Sequence, residues 1–281
     1  MFKKIGWFIF TSLSLDAATL RDFPAPVYER IIFIIQKYLL IIKHLFTPFK
    51  FGRNFINLKG KKFYYDSKYG LAGYQGIFTR HRKLLALINK PVKVVVDIGA
   101  NVGTFTLLSK TLFPKSRIIA VEPVKPIFDL LERNTKDVEA EVINAAVTDR
   151  EGEVKLAYDE NDSAISHIDS HGSQTARGMT LATLIKEKDI KEISLLKIDT
   201  EGFEDAVLAG AGDILSKTDY IHMEVTIDDN TRYTISSLFS YLCGDGYDFQ
   251  LVGFRNFLDK GEGHVPLMDV LLANVKRVNL E

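Results

Sequence analysis

The chain of 281 residues contains a single cysteine, Cys243. One cysteine cannot form an internal disulfide and cannot build a zinc site alone, so the sequence carries no sign of an oxidising compartment. We therefore expect a cytoplasmic protein. Cys243 itself is predicted to be a packed, small apolar residue.

A net charge is also lacking, because 36 basic residues balance 36 acidic ones. Such a chain has no overall positive field with which to gather a polyanion such as DNA or RNA. A nucleic-acid substrate is therefore disfavoured.

Residues 28–46 lack the uninterrupted apolar run of a membrane span. Their polar side chains recur in pairs seven residues apart, at 29–30, 36–37 and 43–44. On a helix this spacing gives a narrow polar stripe opposite a wide apolar face. Charges interrupt every window of about twenty residues, so the helix is not expected to span a bilayer. It is expected either to lie in a membrane interface or to pack under the rest of the protein.

Residues 94–110 carry the clearest local pattern, V-V-V-D-I-G-A-N-V-G-T-F-T-L-L-S-K. The β-branched run predicts a buried parallel strand that ends at Asp97. Gly99 suits a turn with positive φ, and Gly103 is expected to let the following helix approach the strand closely. The pattern predicts the strand, turn and helix of a nucleotide-binding site.

A second apolar strand at residues 117–121 is followed by Glu122. A carboxylate at this position can accept two hydrogen bonds from a ribose diol. A dinucleotide site would have glycine in the middle of the first turn, where this chain has Asn101. S-adenosylmethionine has a ribose and a charged amino-acid tail but no phosphate, so the acids Asp97 and Glu122 favour it over a nicotinamide cofactor.

From Pro91 onward, strand patterns alternate with helix patterns. Strands are predicted at residues 92–97, 117–121, 141–147, 194–199, 220–225, 247–254 and 268–275. The alternation predicts an α/β fold with a Rossmann-like, doubly wound, seven-stranded and mostly parallel sheet, as in class I methyltransferases. We therefore divide the chain into a helical, amphipathic N-terminal appendage at residues 1–90 and a methyltransferase domain at residues 91–281. Ala145 and Ala146, at the end of the third strand, leave space for an adenine ring.

Two other segments have plainer interpretations. Residues 79–89 predict a helix that leads into the first strand, with residues 80–83 as a solvated basic face. Residues 152–179 interrupt the alternation with an extra strand at 153–158 and a polar stretch that carries His167 and His171. That stretch is expected to be either a substrate loop or a surplus mobile loop, and both histidines are interpreted as solvated.

The fourth predicted strand leads into L-L-K-I-D-T-E-G at residues 195–202. Asp199 and Glu201 lie where this strand ends and a helix begins. One interpretation is that they only cap the helix, whose N-terminus favours negative charge. The same edge of the sheet is where the transferable methyl group of a bound cofactor would emerge. We therefore interpret both residues as catalytic.

Five runs occur together in the expected order: V-V-V-D-I-G-A-N-V-G at 94–103, V-E-P at 121–123, N-A-A-V-T-D at 144–149, L-L-K-I-D-T-E-G-F-E at 195–204 and V-L-A-G-A at 207–211. On these runs, residues 94–225 resemble the FkbM-type family of S-adenosylmethionine-dependent O-methyltransferases. The resemblance implies methylation of hydroxyl groups on sugars, polyketides or lipid-linked glycans, with Asp97, Gly99, Asn101, Gly103 and Glu122 in the cofactor site. One departure is Thr180-Leu181-Ala182, where the family commonly has T-L-D, and residues 1–90 lie outside the match.

We therefore predict an O-methyltransferase that uses S-adenosylmethionine and acts on a small-molecule, glycan or lipid-linked hydroxyl. The absence of an N/D-P-P-Y/F motif after the fourth strand is a further argument against a nucleic-acid substrate. Catalysis is assigned to Asp199 and Glu201. Cofactor binding is assigned to Asp97, Gly99, Ala100, Asn101, Gly103, Glu122, Ala145 and Ala146.

Two alternatives remain open at this stage. In a metal-assisted methyltransferase, Asp199, Glu201 and Glu224 would converge as oxygen ligands for magnesium or calcium. A non-catalytic nucleotide-binding or membrane-scaffold protein would keep the fold without turnover, and the presence of both Asp199 and Glu201 argues against it. Residues 28–46 remain a candidate for contact with the cytosolic surface of a membrane.

Overall fold

The computed structural model describes residues 13, 16–21, 25–47, 55–58, 61–65, 77–157, 167–168, 172–226, 233–244, 247–256 and 267–280. Their strands are β1 (Phe55–Leu58), β2 (Lys61–Tyr64), β3 (Val94–Ile98), β4 (Arg117–Val121), β5 (Ala140–Ile143), β6 (Ala146–Val147), β7 (Gly152–Ala157), β8 (His167–Ile168), β9 (Gln174–Met179), β10 (Ile193–Ile198), β11 (Thr218–Thr226), β12 (Phe249–Asn256) and β13 (Leu267–Asn274). Their α-helices are α1 (Val27–Phe46), α2 (Arg82–Leu85), α3 (Thr104–Leu112), α4 (Lys125–Thr135), α5 (Leu181–Glu187), α6 (Glu204–Ala209) and α7 (Ile235–Cys243). A π-helical turn at Ile77–His81 precedes α2, and a 3-10 helix at Gly212–Lys217 follows α6.

The central sheet within these ranges has seven strands in the order β12-β13-β11-β10-β3-β4-β5. Neighbouring strands from β11 to β5 pair in parallel, whereas β13 pairs antiparallel with both β11 and β12. The sequence prediction of a Rossmann-like, mostly parallel sheet is therefore confirmed. Ligands of such sheets bind outside the carboxyl ends of the strands, where the strand order reverses. In this chain that point lies between β3 and β10.

Both faces of the central sheet are covered. Consecutive residues of β3, Val95 and Val96, are fully buried in different hydrophobic clusters because their side chains point to opposite faces. Helices α3 and α4 pack with Val95, and helices α5, α6 and α7 pack with Val96. Burial on both sides is why the strand sequences are continuously apolar.

The third predicted strand, 141–147, is wrong in its extent. Strand β5 ends at Ile143, and residues 146–147 belong to a different, four-stranded sheet in the order β6-β9-β7-β8. Asn144 lies at the break, where its side-chain amide donates to the backbone carbonyls of Glu122 (2.8 Å) and Pro123 (2.9 Å). These two hydrogen bonds hold the chain in a turn and end its pairing with β4.

The insertion at residues 152–179 contains more regular structure than the sequence suggested. Its predicted strand is β7, which pairs antiparallel with β9 in the four-stranded sheet. Within the described part of this insertion, a sheet replaces much of the expected loop. His167 lies in β8, whereas His171 lies outside the described residues.

Helix α1 matches the predicted amphipathic segment. Its buried side chains include both an apolar and a charged residue, whereas most of its large apolar side chains are exposed. Phe33 packs into the cluster that contains Val95, and Lys37 is buried against the carboxylate of Asp16. Large apolar side chains elsewhere on the helix are exposed: Val27, Tyr28, Ile31, Ile32, Ile35, Tyr38, Leu39, Ile42 and Phe46. Across the described residues, no helix is both long and apolar enough to cross a membrane.

Two expectations about single residues were wrong. His81 was placed on a solvated basic face, but it is buried because the π-helical turn packs it against the sheet, where its ring stacks on that of His222. Cys243 was expected to be packed, but it is exposed at the last position of α7. The packed side chains of that helix are Leu238 and Leu242 instead.

Candidate active site at the carboxyl ends of the central strands

An open cleft of about 680 Å³ lies over the carboxyl ends of β3, β4 and β10. Most of the residues predicted for the site line it: Gly99, Asn101, Glu122, Ala145, Ala146, Asp199 and Glu201. Three predicted cofactor residues, Asp97, Ala100 and Gly103, lie outside this lining.

The turn after β3 requires glycine at its first position. Gly99 has a φ of 71°, and a Cβ atom there would lie 1.8 Å from the carbonyl oxygen of Asp199. Larger residues are excluded because the ends of β3 and β10 approach each other at this point. Asn101 also has a positive φ, 50°, which asparagine tolerates better than most residues.

Gly103 serves a different contact from the one predicted. Its φ is 91°, and a Cβ atom there would lie 2.9 Å from Cδ1 of Leu131, which is on α4. The close approach is therefore between the start of α3 and α4, and not between α3 and the strand before it. The sequence pattern identified the need for glycine but not the partner that requires it.

Glu122 connects the turns that follow β3 and β4. Its carboxylate accepts hydrogen bonds from the backbone N–H groups of Asn101 (3.0 Å) and Val124 (2.9 Å). Burial raises the pKa of Glu122 to about 7, although the N–H groups of Val124 and Asn101 favour the charged form. Because each carboxylate oxygen can accept more than one hydrogen bond, Glu122 keeps acceptor capacity toward the cleft.

A buried lysine lies beneath the cleft. The Nζ atom of Lys197 is 3.3 Å from Oδ1 of Asp97 and 3.2 Å from Oδ2 of Asp199, and it donates a hydrogen bond to the carbonyl of Gly99 at 2.5 Å. Thr106 donates to the other oxygen of Asp97 at 2.6 Å. Burial by itself would lower the pKa of Lys197, but the charges of Asp199 and Asp97 more than offset this and raise its pKa above the usual value.

Lys197 was missed at the sequence level, and Asp97 was assigned direct contact with the cofactor. The missed signal was the K-x-D spacing in an otherwise apolar strand, which puts Lys197 and Asp199 on the same face. Register pairing places Asp97 directly opposite Lys197 on the neighbouring strand. Asp97 is fully buried in this position and does not face the cleft.

Three carboxylates meet on the β10 side of the cleft. One oxygen each from Asp199, Glu201 and Glu224 lies within 4.8 Å of the others. Burial, followed by the negative charges of Asp199 and Glu201, holds the pKa of Glu224 well above its usual value. Glu224 comes from β11, the strand next to β10. The cluster can accept a proton or hold a cation.

Glu204 performs the structural role that one interpretation of the sequence gave to Asp199 and Glu201 at the start of α6. It accepts hydrogen bonds from the backbone N–H groups of Thr200 (2.9 Å) and Gly202 (3.3 Å), and from the hydroxyl of Tyr233 (2.6 Å). Glu204 is almost fully buried, so it stabilises the turn rather than reacting with a ligand. Sequence reasoning did not single out Glu204, because Glu201 lies in the same segment and is also a glutamate.

Comparison with known proteins identifies a family match over more than half of the chain. Residues 97–249 match the model described as the Methyltransferase FkbM domain. The 2-O-methyltransferase NoeI of Sinorhizobium fredii is 25% identical over 167 residues, which cover 51% of this chain and 68% of that protein. The 31-O-demethyl-FK506 methyltransferase FkbM of Streptomyces tacrolimicus is 29% identical over 176 residues, with 50% and 68% covered. The hexuronic acid methyltransferase AglP of Haloferax volcanii is 24% identical over 135 residues, with 47% and 55% covered.

The buried position of Lys197 generates a stability prediction. Lys197→Met would leave Asp97 buried without its cation, which typically costs about 3–5 kcal/mol of unfolding free energy. The double variant Lys197→Met/Asp97→Asn should recover part of this loss because the uncompensated charge is gone. The unfolding free energies of both variants are measured by urea denaturation, monitored by circular dichroism.

The matched control is Lys125→Met, because Lys125 forms an exposed ion pair with Asp129. Exposed pairs of this kind contribute about 0–1 kcal/mol, so the control should unfold close to wild type. An unfolding free energy for Lys197→Met equal to that of the control would contradict the role assigned to the buried lysine.

Proposed function

The chain belongs to the FkbM methyltransferase family and is a methyltransferase, and we propose that it transfers the methyl group of S-adenosylmethionine to a hydroxyl group of its acceptor. One observation carries the proposal. A single cleft is bordered by the carboxylate of Glu122, by the small residues Ala145 and Ala146, and by the carboxylate of Asp199. These three borders match the ribose, the adenine and the charged amino-acid tail of the cofactor.

Each part of the cofactor has a partner in this arrangement. The ribose hydroxyls donate to Glu122, as an acid after the second strand does in nucleotide-binding folds of this kind. The adenine lies against Ala145 and Ala146, which are buried and leave room for a flat ring. The amino-acid tail faces the turn of Gly99, Ala100, Asn101 and Gly103, with the ammonium group toward Asp199.

Asp97 contributes to cofactor binding from below the cleft. Through Lys197 it fixes the carbonyl of Gly99 and the carboxylate of Asp199, both of which border the cofactor space. We therefore assign Asp97 as a positioning residue.

The chemical step is a displacement in which the acceptor hydroxyl attacks the sulfonium methyl group. A neutral hydroxyl is a weak nucleophile, so a base within hydrogen-bond distance accepts its proton as the new bond to carbon forms. Glu201 is assigned this role, because Asp199 already contacts Lys197 and is directed to the cofactor. The assignment is supported by Glu204, which makes the hydrogen bonds at the start of α6.

The acceptor is proposed to be a hydroxyl of a sugar, a glycan, a lipid-linked glycan or a secondary metabolite. The names of the relatives support an oxygen acceptor, since one is a 2-O-methyltransferase and another acts on 31-O-demethyl-FK506. A nucleic acid is not proposed, because the chain has no net positive charge.

A second candidate mechanism is metal-assisted methyl transfer. The convergence of Asp199, Glu201 and Glu224 favours it, because carboxylate oxygens are the ligands preferred by magnesium and calcium. The three residues fit such an ion, since a dication would neutralise like charges that are otherwise held together. Bound there, the ion would polarise the acceptor hydroxyl.

Helix α1 is proposed to hold the enzyme on the cytosolic surface of a membrane. The support is its exposed apolar face, on which Ile35, Leu39 and Phe46 are each more than half exposed. A single apolar face gives only modest affinity, so attachment should be reversible and should strengthen with anionic lipid.

The first prediction from this proposed function concerns the pH dependence of cofactor binding. Because the charged form of Glu122 accepts hydrogen bonds from the ribose and its pKa is about 7, the affinity for S-adenosylmethionine should rise with pH. Calorimetry should give about tenfold tighter binding at pH 8 than at pH 6. Glu122→Gln should bind about ten- to a hundredfold more weakly and lose this dependence, because it lacks the charged acceptor.

Glu132→Gln on the exposed side of α4 is the control and should retain the wild-type pH profile. Affinity that is independent of pH in the wild-type protein would refute the assigned role of Glu122. Saturation by NAD without any heat from S-adenosylmethionine would refute the cofactor itself.

The second prediction separates the two catalytic residues. Glu201→Gln should reduce turnover by about 10²–10⁴-fold, the usual contribution of a general base, with nearly unchanged S-adenosylmethionine affinity. Asp199→Asn should weaken that affinity as well. Transfer of labelled methyl groups to a glycan and lipid extract measures turnover, and calorimetry measures affinity. The exposed Glu187→Gln is the control and should alter neither quantity.

Wild-type turnover in Glu201→Gln, under conditions where chemistry limits the rate, would mean that Glu201 is not the base. The same assay after dialysis against EDTA distinguishes the two mechanisms. Full activity without added metal supports the metal-free displacement, whereas loss of activity that magnesium restores supports the metal-assisted one.

The third prediction concerns helix α1. Wild-type protein should co-sediment with vesicles that contain phosphatidylglycerol and remain in the supernatant after Ile35→Asp/Leu39→Asp. Leu251→Asp, which alters an exposed leucine on β12, is the control and should still co-sediment. Wild-type protein that stays in the supernatant at every lipid composition would rule out the membrane contact.

A further inference from the structure

A second cluster of ionisable side chains lies inside the protein, apart from the lining of the cleft. It consists of His81 from the π-helical turn, His222 from β11 and Asp269 from β13. All three residues are buried, with relative exposures of 5%, 1% and 0%. Residues from three separate elements therefore meet in one dry location, which neither the proposed cofactor site nor the proposed base uses.

The side chains are arranged with their polar atoms toward one another. Nδ1 of His81 lies 3.1 Å from Nε2 of His222, and Nε2 of His81 lies 3.8 Å from Oδ2 of Asp269. One ligand atom from each residue can be chosen such that all three lie within 4.8 Å of one another. Two nitrogens that both bind one zinc ion at about 2.0–2.1 Å in tetrahedral geometry are roughly 3.3 Å apart. This is close to the 3.1 Å between Nδ1 of His81 and Nε2 of His222.

The strand positions around the cluster carry charges of both signs. Asp269 lies directly opposite Glu224 on the neighbouring strand, so two carboxylates share one region of a buried sheet. Lys197 lies directly opposite His222 and is paired with Asp97 and Asp199, and Arg255 lies directly opposite Asp269. The carboxylate of Asp269 would supply one negative charge to a dication bound by the three side chains.

We propose that His81, His222 and Asp269 form a binding site for a divalent transition-metal ion, with zinc as the expected ion. Two imidazole nitrogens and one carboxylate oxygen are a ligand set that suits zinc or iron(II) better than magnesium or calcium. The cluster thereby differs in chemistry from the all-carboxylate group of Asp199, Glu201 and Glu224. Water can occupy the remaining position of a tetrahedral ion.

The ion would have a structural role. It would link the turn at residues 77–81 to strands β11 and β13. Glu224 lies on β11 directly opposite the ligand Asp269. Because a preformed metal site rarely exists in an unfolded chain, binding would stabilise the folded state. The ion would thus hold one wall of the carboxylate cluster in place.

The experiment is elemental analysis of the full-length protein, purified without a metal-affinity tag and dialysed against metal-free buffer. The wild-type protein should contain about one zinc ion per chain. His81→Gln and His222→Gln should each lower the content at least tenfold. Glu201→Gln and Cys243→Ser should retain it, which excludes binding by the carboxylate cluster and by the exposed thiol.

A second measurement does not depend on whether the histidine variants fold. Wild-type protein stripped with a chelator is titrated with cobalt(II), whose visible absorption bands are strong in tetrahedral coordination and weak in octahedral oxygen coordination. Its melting temperature is recorded with and without zinc. Binding of one equivalent with a higher melting temperature supports the site. A metal-free wild-type protein that shows no cobalt bands and no shift in melting temperature overturns the proposal, and the cluster is then only a hydrogen-bonded group.

Discussion

The amino group of Lys197 lies between the carboxylates of Asp97 and Asp199 inside the central sheet, and it also holds the carbonyl of Gly99. Removing these ions from water costs several kcal/mol per ion, and their close mutual pairing offsets this cost. The interaction connects the ends of β3 and β10, between which the strand order reverses. The shape of the cleft therefore depends on the buried Lys197 and on the two carboxylates that it bridges.

The two sides of the cleft also differ in electrostatic character. On the β4 side, Glu122 is held by two backbone N–H groups and has a pKa of about 7. On the β10 side, Asp199 is paired with Lys197, and Glu224 resists ionisation because it is buried beside other acids. The β4 side therefore presents a hydrogen-bond acceptor, whereas the β10 side presents a cluster of acids that repel one another.

Much of the fold could be predicted because periodicity and glycine placement act locally. The strand patterns identified the central sheet, and the turn around Gly99 followed from its need for positive φ. The errors arose where distant parts of the chain decide the outcome. Asn144 ends β5 by bonding to residues about twenty positions earlier, and His81 is buried because β11 provides a stacking partner. Lys197 escaped notice because its partner Asp97 is remote in sequence, although their strands are adjacent.

The most direct test of the account is a crystal structure of the protein with S-adenosylhomocysteine, the demethylated form of the proposed cofactor. The account predicts that both ribose hydroxyls donate to Glu122, that the adenine contacts Ala145 and Ala146, and that the ammonium group lies beside Asp199. Lys197 should remain buried beneath the ligand, without touching it. A nucleoside bound elsewhere, or bound in this cleft with its ribose away from Glu122, would contradict the account.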